Sequence, residues 1–125
     1  MIVDASSVIA ILRREPGYGA HRDALGSSER ARIAAPTLLE ASLVAGPERA
    51  RELDIVLADV EVVAFDREQA LVARDAYARF GKGSGHPARL NFGDCMAYAL
   101  AMTTGDPLLF KGDDFTHTDV TPALA

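Results

Sequence analysis

Four acidic side chains stand at positions where a strand is predicted to end or a helix to begin. They are Asp4, Glu40, Asp94 and Asp113. In a sheet of parallel strands such positions gather at one edge. Carboxylates that converge repel one another, so a cluster is unfavourable unless a cation balances it. Mg²⁺, for which Mn²⁺ can substitute, is the natural ion because hard cations prefer carboxylate oxygens. Such a site could stabilise charge on a phosphate.

Each acid also has a purely structural explanation. Asp4 could cap the helix that follows it. Thr37-x-x-Glu40 and Asn91-x-x-Asp94 both have capping-box spacing. Asp113 follows Gly112 in a typical turn sequence. Taken singly, each acid is better explained by structure than by chemistry, and only the set of four favours a metal site.

Other metal and redox chemistries are disfavoured. The three histidines, His21, His86 and His117, lack metal-ligand spacing and are predicted to lie at the surface. Cys95 is the single cysteine, which excludes an intramolecular disulfide and a cysteine-based zinc site. We predict that Cys95 is a small buried residue of the core.

The elements that must position these acids alternate between strand and helix. Strands are predicted at residues 2–4, 32–35, 60–65 and 107–110, with a last edge strand at 119–120. Helices are predicted at residues 6–14, 18–25, 37–44, 47–58, 66–80 and 91–103. Strands separated by helices predict an α/β fold with a mainly parallel sheet and helices on both faces.

Length and composition limit the number of domains and the kinds of partner that the chain can have. The 125 residues predict a single domain over 1–125, and the 49% of hydrophobic residues is typical of a globular protein. No signal peptide or membrane-spanning run is visible, so a cytoplasmic location is expected. The net charge of −5 argues against nucleic acid as a partner, yet 11 of the 13 basic residues are arginines suited to phosphate contacts. Local patches of positive charge therefore decide whether the chain can bind nucleic acid.

Three segments resemble a known family. They are Ile2-Val3-Asp4-Ala5-Ser6-Ser7-Val8-Ile9-Ala10-Ile11-Leu12, the block Asn91-Phe92-Gly93-Asp94-Cys95 within residues 83–101, and Lys111-Gly112-Asp113-Asp114-Phe115. Together they resemble PIN-domain ribonucleases, and within these the VapC toxins of type II toxin–antitoxin pairs. The resemblance implies a three-layer α/β/α sandwich, metal-dependent endoribonuclease activity, a cognate VapB-type antitoxin and a homodimer.

The resemblance also implies roles for individual residues. Asp4, Glu40 and Asp94 match the first three acids of the family, with Asp4 and Asp94 as the metal ligands. Asp113 is the candidate fourth acid, and Asp114 could fill that role instead. A metal-activated water would attack the RNA phosphodiester, leaving 5′-phosphate and 3′-hydroxyl ends.

Four further residues are candidates for binding the RNA: Ser6, Lys82, Arg89 and Lys111. Ser6 lies at a helix start, where backbone N–H groups and a hydroxyl could meet a phosphate or orient Asp4, although helix capping explains it equally well. Lys82 and Arg89 flank a segment rich in glycine that is either a flexible connection or an RNA-binding loop. Lys111 could meet a phosphate or balance Asp113.

Two other functions remain open from the sequence. A catalytically inactive PIN module would bind RNA or protein without cutting, but it is expected to lack one or more acids, and all are present. A receiver domain of a response regulator has similar length and an acidic Mg²⁺ pocket. It needs a phosphoacceptor aspartate at the end of its third strand and paired acids near its first, whereas here Asp4 stands alone and Asp54 and Asp59 lie in a helical pattern.

Overall fold

A computed structural model describes residues 1–124 as an α/β fold. The four strands are β1 (Ile2–Val3), β2 (Arg32–Ala34), β3 (Glu61–Val63) and β4 (Leu108–Leu109). The six helices are α1 (Ala5–Arg13), α2 (Tyr18–Ser27), α3 (Ala35–Ala45), α4 (Ala50–Val56), α5 (Arg67–Phe80) and α6 (Phe92–Thr104). A short 3₁₀ turn, Pro47–Arg49, precedes α4.

All strand pairs are parallel, and the sheet order is β3-β2-β1-β4. Alternate side chains of the strands enter two separate cores because side chains of a strand point to opposite faces. Ile2 and Ala34 pack with α5 and α6. Val3 and Ile33 pack with residues of α1, α3 and α4. This arrangement confirms the predicted three-layer sandwich.

Most predicted elements form, with shorter strands than expected. The predicted edge strand at Asp119–Val120 is wrong, because the chain bends there and Leu108 instead makes a single parallel bridge with Pro122. The predicted helix 47–58 divides into the 3₁₀ turn and α4. Within residues 1–124, no helix is both long and apolar enough to cross a bilayer.

The topology places the carboxyl ends of the two central strands together. β1 lies between β2 and β4, and Asp4 follows it directly. The backbone N–H of Asp4 donates to the carbonyl of Leu109 at the end of β4. The first turns of α1 and α3 therefore meet the chain after β4 at one edge of the sheet. Ligand sites of parallel α/β folds lie at this edge.

Candidate active site

Asp4 is held rigidly at the start of α1. It is 3% exposed, and its Oδ2 accepts hydrogen bonds from the backbone N–H and the hydroxyl of Ser6. The predicted helix cap is therefore confirmed. Its other oxygen, Oδ1, is buried and has no hydrogen-bond partner among the described residues. Burial, opposed by the Ser6 hydrogen bonds and assisted by repulsion from Glu40, raises the pKa of Asp4 to about 6.

Asp94 is fixed by a capping box at the start of α6. The backbone N–H of Asn91 donates to Asp94 Oδ2 at 2.9 Å, and the N–H of Asp94 donates to Asn91 Oδ1 at the same distance. This confirms the spacing seen in the sequence. Asp94 is 8% exposed. Burial, with repulsion from Asp4 and then Asp114, raises its pKa to about 6.

Glu40 reaches the same place from the middle of α3. A carbon atom built as Cβ on Gly93 would lie only 1.7 Å from Glu40 Oε2, so the carboxylate rests against the backbone of α6. Partial burial and then repulsion from Asp94 raise the pKa of Glu40. The predicted capping box from Thr37 to Glu40 is wrong. The helix begins two residues earlier at Ala35, and Thr37 is buried inside it.

The three acids face one cleft of about 420 Å³. Its lining residues include Asp4, Ser6, Glu40, Asp94 and Lys111. The pKa of each acid is raised in part by the charge of another, which shows that the three carboxylates share one electrostatic environment. Of the four acids expected to converge, Asp4, Glu40 and Asp94 line this cleft, and their binding of a metal ion stays a prediction.

The donor set suits a hard divalent cation. Every candidate ligand is a carboxylate oxygen, and residues 1–124 supply no hydrogen-bond partner for the buried Oδ1 of Asp4. Within residues 1–124, no three acidic, histidine or cysteine side chains are close enough to form a ready-made metal cage. Carboxylate oxygens as the donors fit Mg²⁺ better than zinc, because hard cations prefer oxygen ligands.

Asp113 does not line the cleft. It is exposed, and its carbonyl accepts hydrogen bonds from the backbone N–H and hydroxyl of Thr116 in the turn after Gly112. The charge of Asp114, by contrast, reaches Asp94 and helps to raise its pKa. Asp114 is also exposed and does not line the cleft, so only the effect of its charge on Asp94 separates the two candidates for the fourth acid.

The four predicted RNA-binding residues divide into two groups. Ser6 and Lys111 lie in the cleft, where the Lys111 backbone N–H donates to the Ser6 hydroxyl at 3.0 Å. Lys82 and Arg89 line a separate cavity of about 640 Å³ in the loop between α5 and α6. Lys82 is nevertheless close enough to lower the pKa of Asp94 against the larger effect of burial.

Two side-chain contacts were missed from the sequence. The ammonium of Lys111 pairs with Glu15 at 3.0 Å, rather than with Asp113 as considered. His21 is buried, not at the surface, and its Nδ1 shares a 2.9 Å hydrogen bond with the hydroxyl of the buried Ser7. Burial, with the charge of Lys111, lowers the pKa of His21. No local spacing links the residues of either pair.

Replacing Gly93 with Ala should move Glu40 without unfolding the protein. The new methyl group would overlap the end of a flexible side chain, so Glu40 must rotate away while the backbone stays in place. We expect the RNA cleavage that the family resemblance implies to fall by about 10²-fold or more, in the range found when one positioned group is lost. Steady-state kinetics with thermal melting measures both quantities.

Gly26→Ala is the matched control, because nothing lies within 4 Å of a Cβ at that position of α2. It should leave cleavage unchanged. Equal rates for Gly93→Ala and the native chain would mean that the position of Glu40 is unimportant.

Comparison with known proteins agrees with this geometry. The PIN domain family model matches residues 1–120. Ribonuclease VapC42 of Mycobacterium tuberculosis is 49% identical, with 98% of each chain covered. Ribonuclease VapC28 of the same organism is 48% identical over 99% of this chain and 98% of its own.

Solved structures of low identity share the fold. Mycobacterium tuberculosis VapC20, described as a sarcin-ricin loop cleaving toxin, superposes with a TM-score of 0.70 at 18% identity, covering 97% of this chain and 98% of its own. A toxin–antitoxin complex from Klebsiella pneumoniae gives 0.73 at 15% identity, covering 94% and 92%. The receiver alternative is excluded by the family match. The chain belongs to the PIN-domain family and, within it, to the VapC toxin ribonucleases.

Proposed function

We propose that this ribonuclease is a metal-dependent endonuclease that uses Mg²⁺, with Mn²⁺ as a substitute. The observation that carries the proposal is the buried, unpartnered Oδ1 of Asp4 in a cleft shared with Glu40 and Asp94. At neutral pH these carboxylates repel one another and lack sufficient counter-charge from the protein. A bound divalent cation would pair with the free oxygen of Asp4 and would offset the repulsion between the carboxylates.

Asp4 and Asp94 are the proposed metal ligands. When bound, the ion would neutralise the carboxylates, stabilise charge on the phosphate and lower the pKa of a coordinated water. Ser6 holds one oxygen of Asp4, and Asn91 holds one oxygen of Asp94, so the other oxygens keep fixed orientations. Glu40, half-buried against Gly93, is the group we propose to orient the attacking water and to accept its proton.

Water, rather than the 2′-hydroxyl of the RNA, is the proposed nucleophile. Attack by the 2′-hydroxyl usually needs an acid and a base such as paired histidines. None of the three histidines is among the residues that line the acidic cleft within the described chain. The family resemblance implies products with 5′-phosphate and 3′-hydroxyl ends, which attack by water can give and attack by the 2′-hydroxyl cannot.

The proposed function is tested by cutting a single-stranded RNA with the purified chain. Cleavage should require Mg²⁺ or Mn²⁺, stop in excess chelator and return when Mn²⁺ is added. End analysis should show 5′-phosphates. A chelated protein that still cuts RNA at the full rate would exclude the metal mechanism. A loaded protein that binds RNA without cutting it would favour the inactive PIN module.

The loop between α5 and α6 is the proposed phosphate-binding element. Lys82 and Arg89 are both exposed, and their charges offset locally the overall charge of −5. Replacing both with Ala should raise KM for RNA by about 10-fold at 0.15 M salt, and should flatten the dependence of KM on salt, with a smaller effect on kcat. Kinetics at two salt concentrations measure this.

Arg30→Ala provides the comparison for this pair. Arg30 is exposed, pairs with Glu61, and precedes β2 at the opposite edge of the sheet. Its loss should leave KM unchanged. If the Arg30 variant raises KM as much as the loop variant does, the loop has no special role.

Two partners are proposed as well. The family assignment supports a cognate VapB-type antitoxin, and the acidic cleft would accept an arginine from it in place of the ion. A homodimer is proposed because α3 exposes two large apolar residues, Leu39 and Leu43. Sedimentation of the isolated chain tests the second proposal. The cytoplasmic location stays a prediction.

A further inference from the structure

The acidic cleft also holds a lysine that does not pair with the acids. Lys111 lines the cavity that the three carboxylates share. Within residues 1–124, its ammonium forms no ion pair with them and pairs instead with Glu15 at 3.0 Å. Opposite charges in one partly dry cleft attract each other strongly. The direction that the lysine takes therefore needs a structural cause.

The backbone of Lys111 lies close to Asp4. Its N–H donates to the Ser6 hydroxyl at 3.0 Å, and that hydroxyl donates to Asp4 Oδ2. The lysine side chain thus begins only two hydrogen bonds away from a proposed metal ligand. Because this side chain is a flexible stem of four carbons, its ammonium would turn to the carboxylates if no other group held it.

Glu15 is fixed at the opposite end of α1. Arg14 ends the helix in the left-handed conformation with φ at 50°, and the Glu15 N–H donates to the Ala10 carbonyl at 3.0 Å. This turn is a common way to end a helix. Ala10 lies about 6 Å along the helix axis beyond Ser6. The ammonium of Lys111 is therefore held by the C-terminal end of α1, whereas Asp4 caps the N-terminal end.

The effects of charge agree with this placement. The charge of Lys111 reaches His21, whose pKa it lowers after the larger effect of burial. The pKa values of Asp4 and Asp94 are both raised to about 6, chiefly by burial. An ammonium in the same cleft therefore does not neutralise these acids. Glu15 offsets its charge instead.

We propose that Glu15 is a positioning residue that holds the Lys111 ammonium away from the three carboxylates and so keeps them open to a divalent cation. The inference rests on the proposed metal-dependent function. A protein ammonium in contact with the acids would compete with the ion for the same oxygens. If it occupied them in about nine of ten molecules, the apparent affinity for the ion would fall by about 10-fold.

A double-mutant cycle tests this role through Mn²⁺ binding, measured by calorimetry in the absence of RNA. Glu15→Gln should weaken binding by about 10-fold or more, because the released ammonium moves to the acids. Lys111→Met removes that ammonium. Adding Glu15→Gln to Lys111→Met should therefore change the affinity by less than about 3-fold, the size expected from loss of one partly exposed charge.

Glu61→Gln is the matched control. Glu61 pairs with Arg30 in an exposed ion pair, and neither residue lines the cleft. This variant should bind Mn²⁺ as the native chain does. A general effect of breaking an ion pair or of removing one negative charge would appear in it as well.

A crystal structure of the metal-free Glu15→Gln protein provides a second readout. The Lys111 ammonium should lie within about 4 Å of a carboxylate oxygen of Asp4, Glu40 or Asp94, the distance of an ion pair. This readout decides the role of Glu15 even if the native chain binds no Mn²⁺. That failure would overturn the proposed metal dependence and leave the position of the ammonium to be judged from the structure.

The contrary results are specific to Glu15. Equal weakening by Glu15→Gln with and without Lys111→Met would show that Glu15 acts only through its own charge, and would overturn the proposal. A Glu15→Gln variant with native Mn²⁺ affinity would overturn it too. So would a crystal structure of that variant in which the ammonium stays clear of the acids.

Discussion

Replacing Asp4 with Asn should reduce RNA cleavage by roughly 10²- to 10³-fold or more while leaving the fold intact. The change keeps the shape of the side chain and an oxygen that can accept from Ser6, but it removes the negative charge that a cation needs. Losses of this size accompany removal of one group that stabilises charge in a transition state. Initial rates with saturating Mg²⁺, together with circular dichroism, measure the effect.

Asp54→Asn is the control for charge alone. Asp54 lies exposed on α4, away from the cleft, so its replacement should leave the rate unchanged. An Asp4→Asn variant that cuts RNA at more than a tenth of the native rate would mean that Asp4 is only a helix cap.

The same substitution should stabilise the metal-free protein at neutral pH. The pKa of Asp4 is raised from 3.8 to about 6 in the folded state, so ionisation of this buried group opposes folding. Each unit of pKa corresponds to about 1.4 kcal/mol, and we expect a gain of about 2–3 kcal/mol in the free energy of unfolding. Urea unfolding in chelator at pH 7.5 measures it.

The dependence on pH has a definite sign. Below about pH 3 the carboxyl is protonated in both the folded and the unfolded chain, so the native protein suffers no penalty and the two proteins should be equally stable. The penalty grows as pH rises from about 4 to 6 and is constant above that range. An Asp4→Asn variant that is less stable than the native protein at pH 7.5 would show that the ionised carboxylate has a structural partner.

The fold was largely predictable because its local signals agree with the tertiary structure. The two side chains of the strand Ile2–Val3 pack into the two different cores, as alternation along a strand predicts. Asp66 and Asn91 cap their helices as their spacing predicts. The convergence of the acids follows from the same alternation of strand and helix, because parallel strands end at one edge.

Features that depend on contacts between distant segments were not predictable. Pro36 suits the first turn of a helix, so α3 begins at Ala35 and Thr37 loses its capping role. Lys111 pairs with Glu15, which lies 96 residues away. His21 is buried because α2 packs on α1, where Ser7 meets its ring. The choice between Asp113 and Asp114 depends on the course of the turn after Gly112, which no short pattern specifies.

The most direct test of the acidic cleft is Mn²⁺ binding, followed by electron paramagnetic resonance of free Mn²⁺ in the absence of RNA. The native chain should bind the ion saturably at pH 7.5, and Asp4→Asn and Asp94→Asn should each bind it at least 10-fold more weakly. Asp54→Asn should bind it as the native chain does. Native-like Mn²⁺ affinity in both cleft variants would contradict a metal site built on these carboxylates.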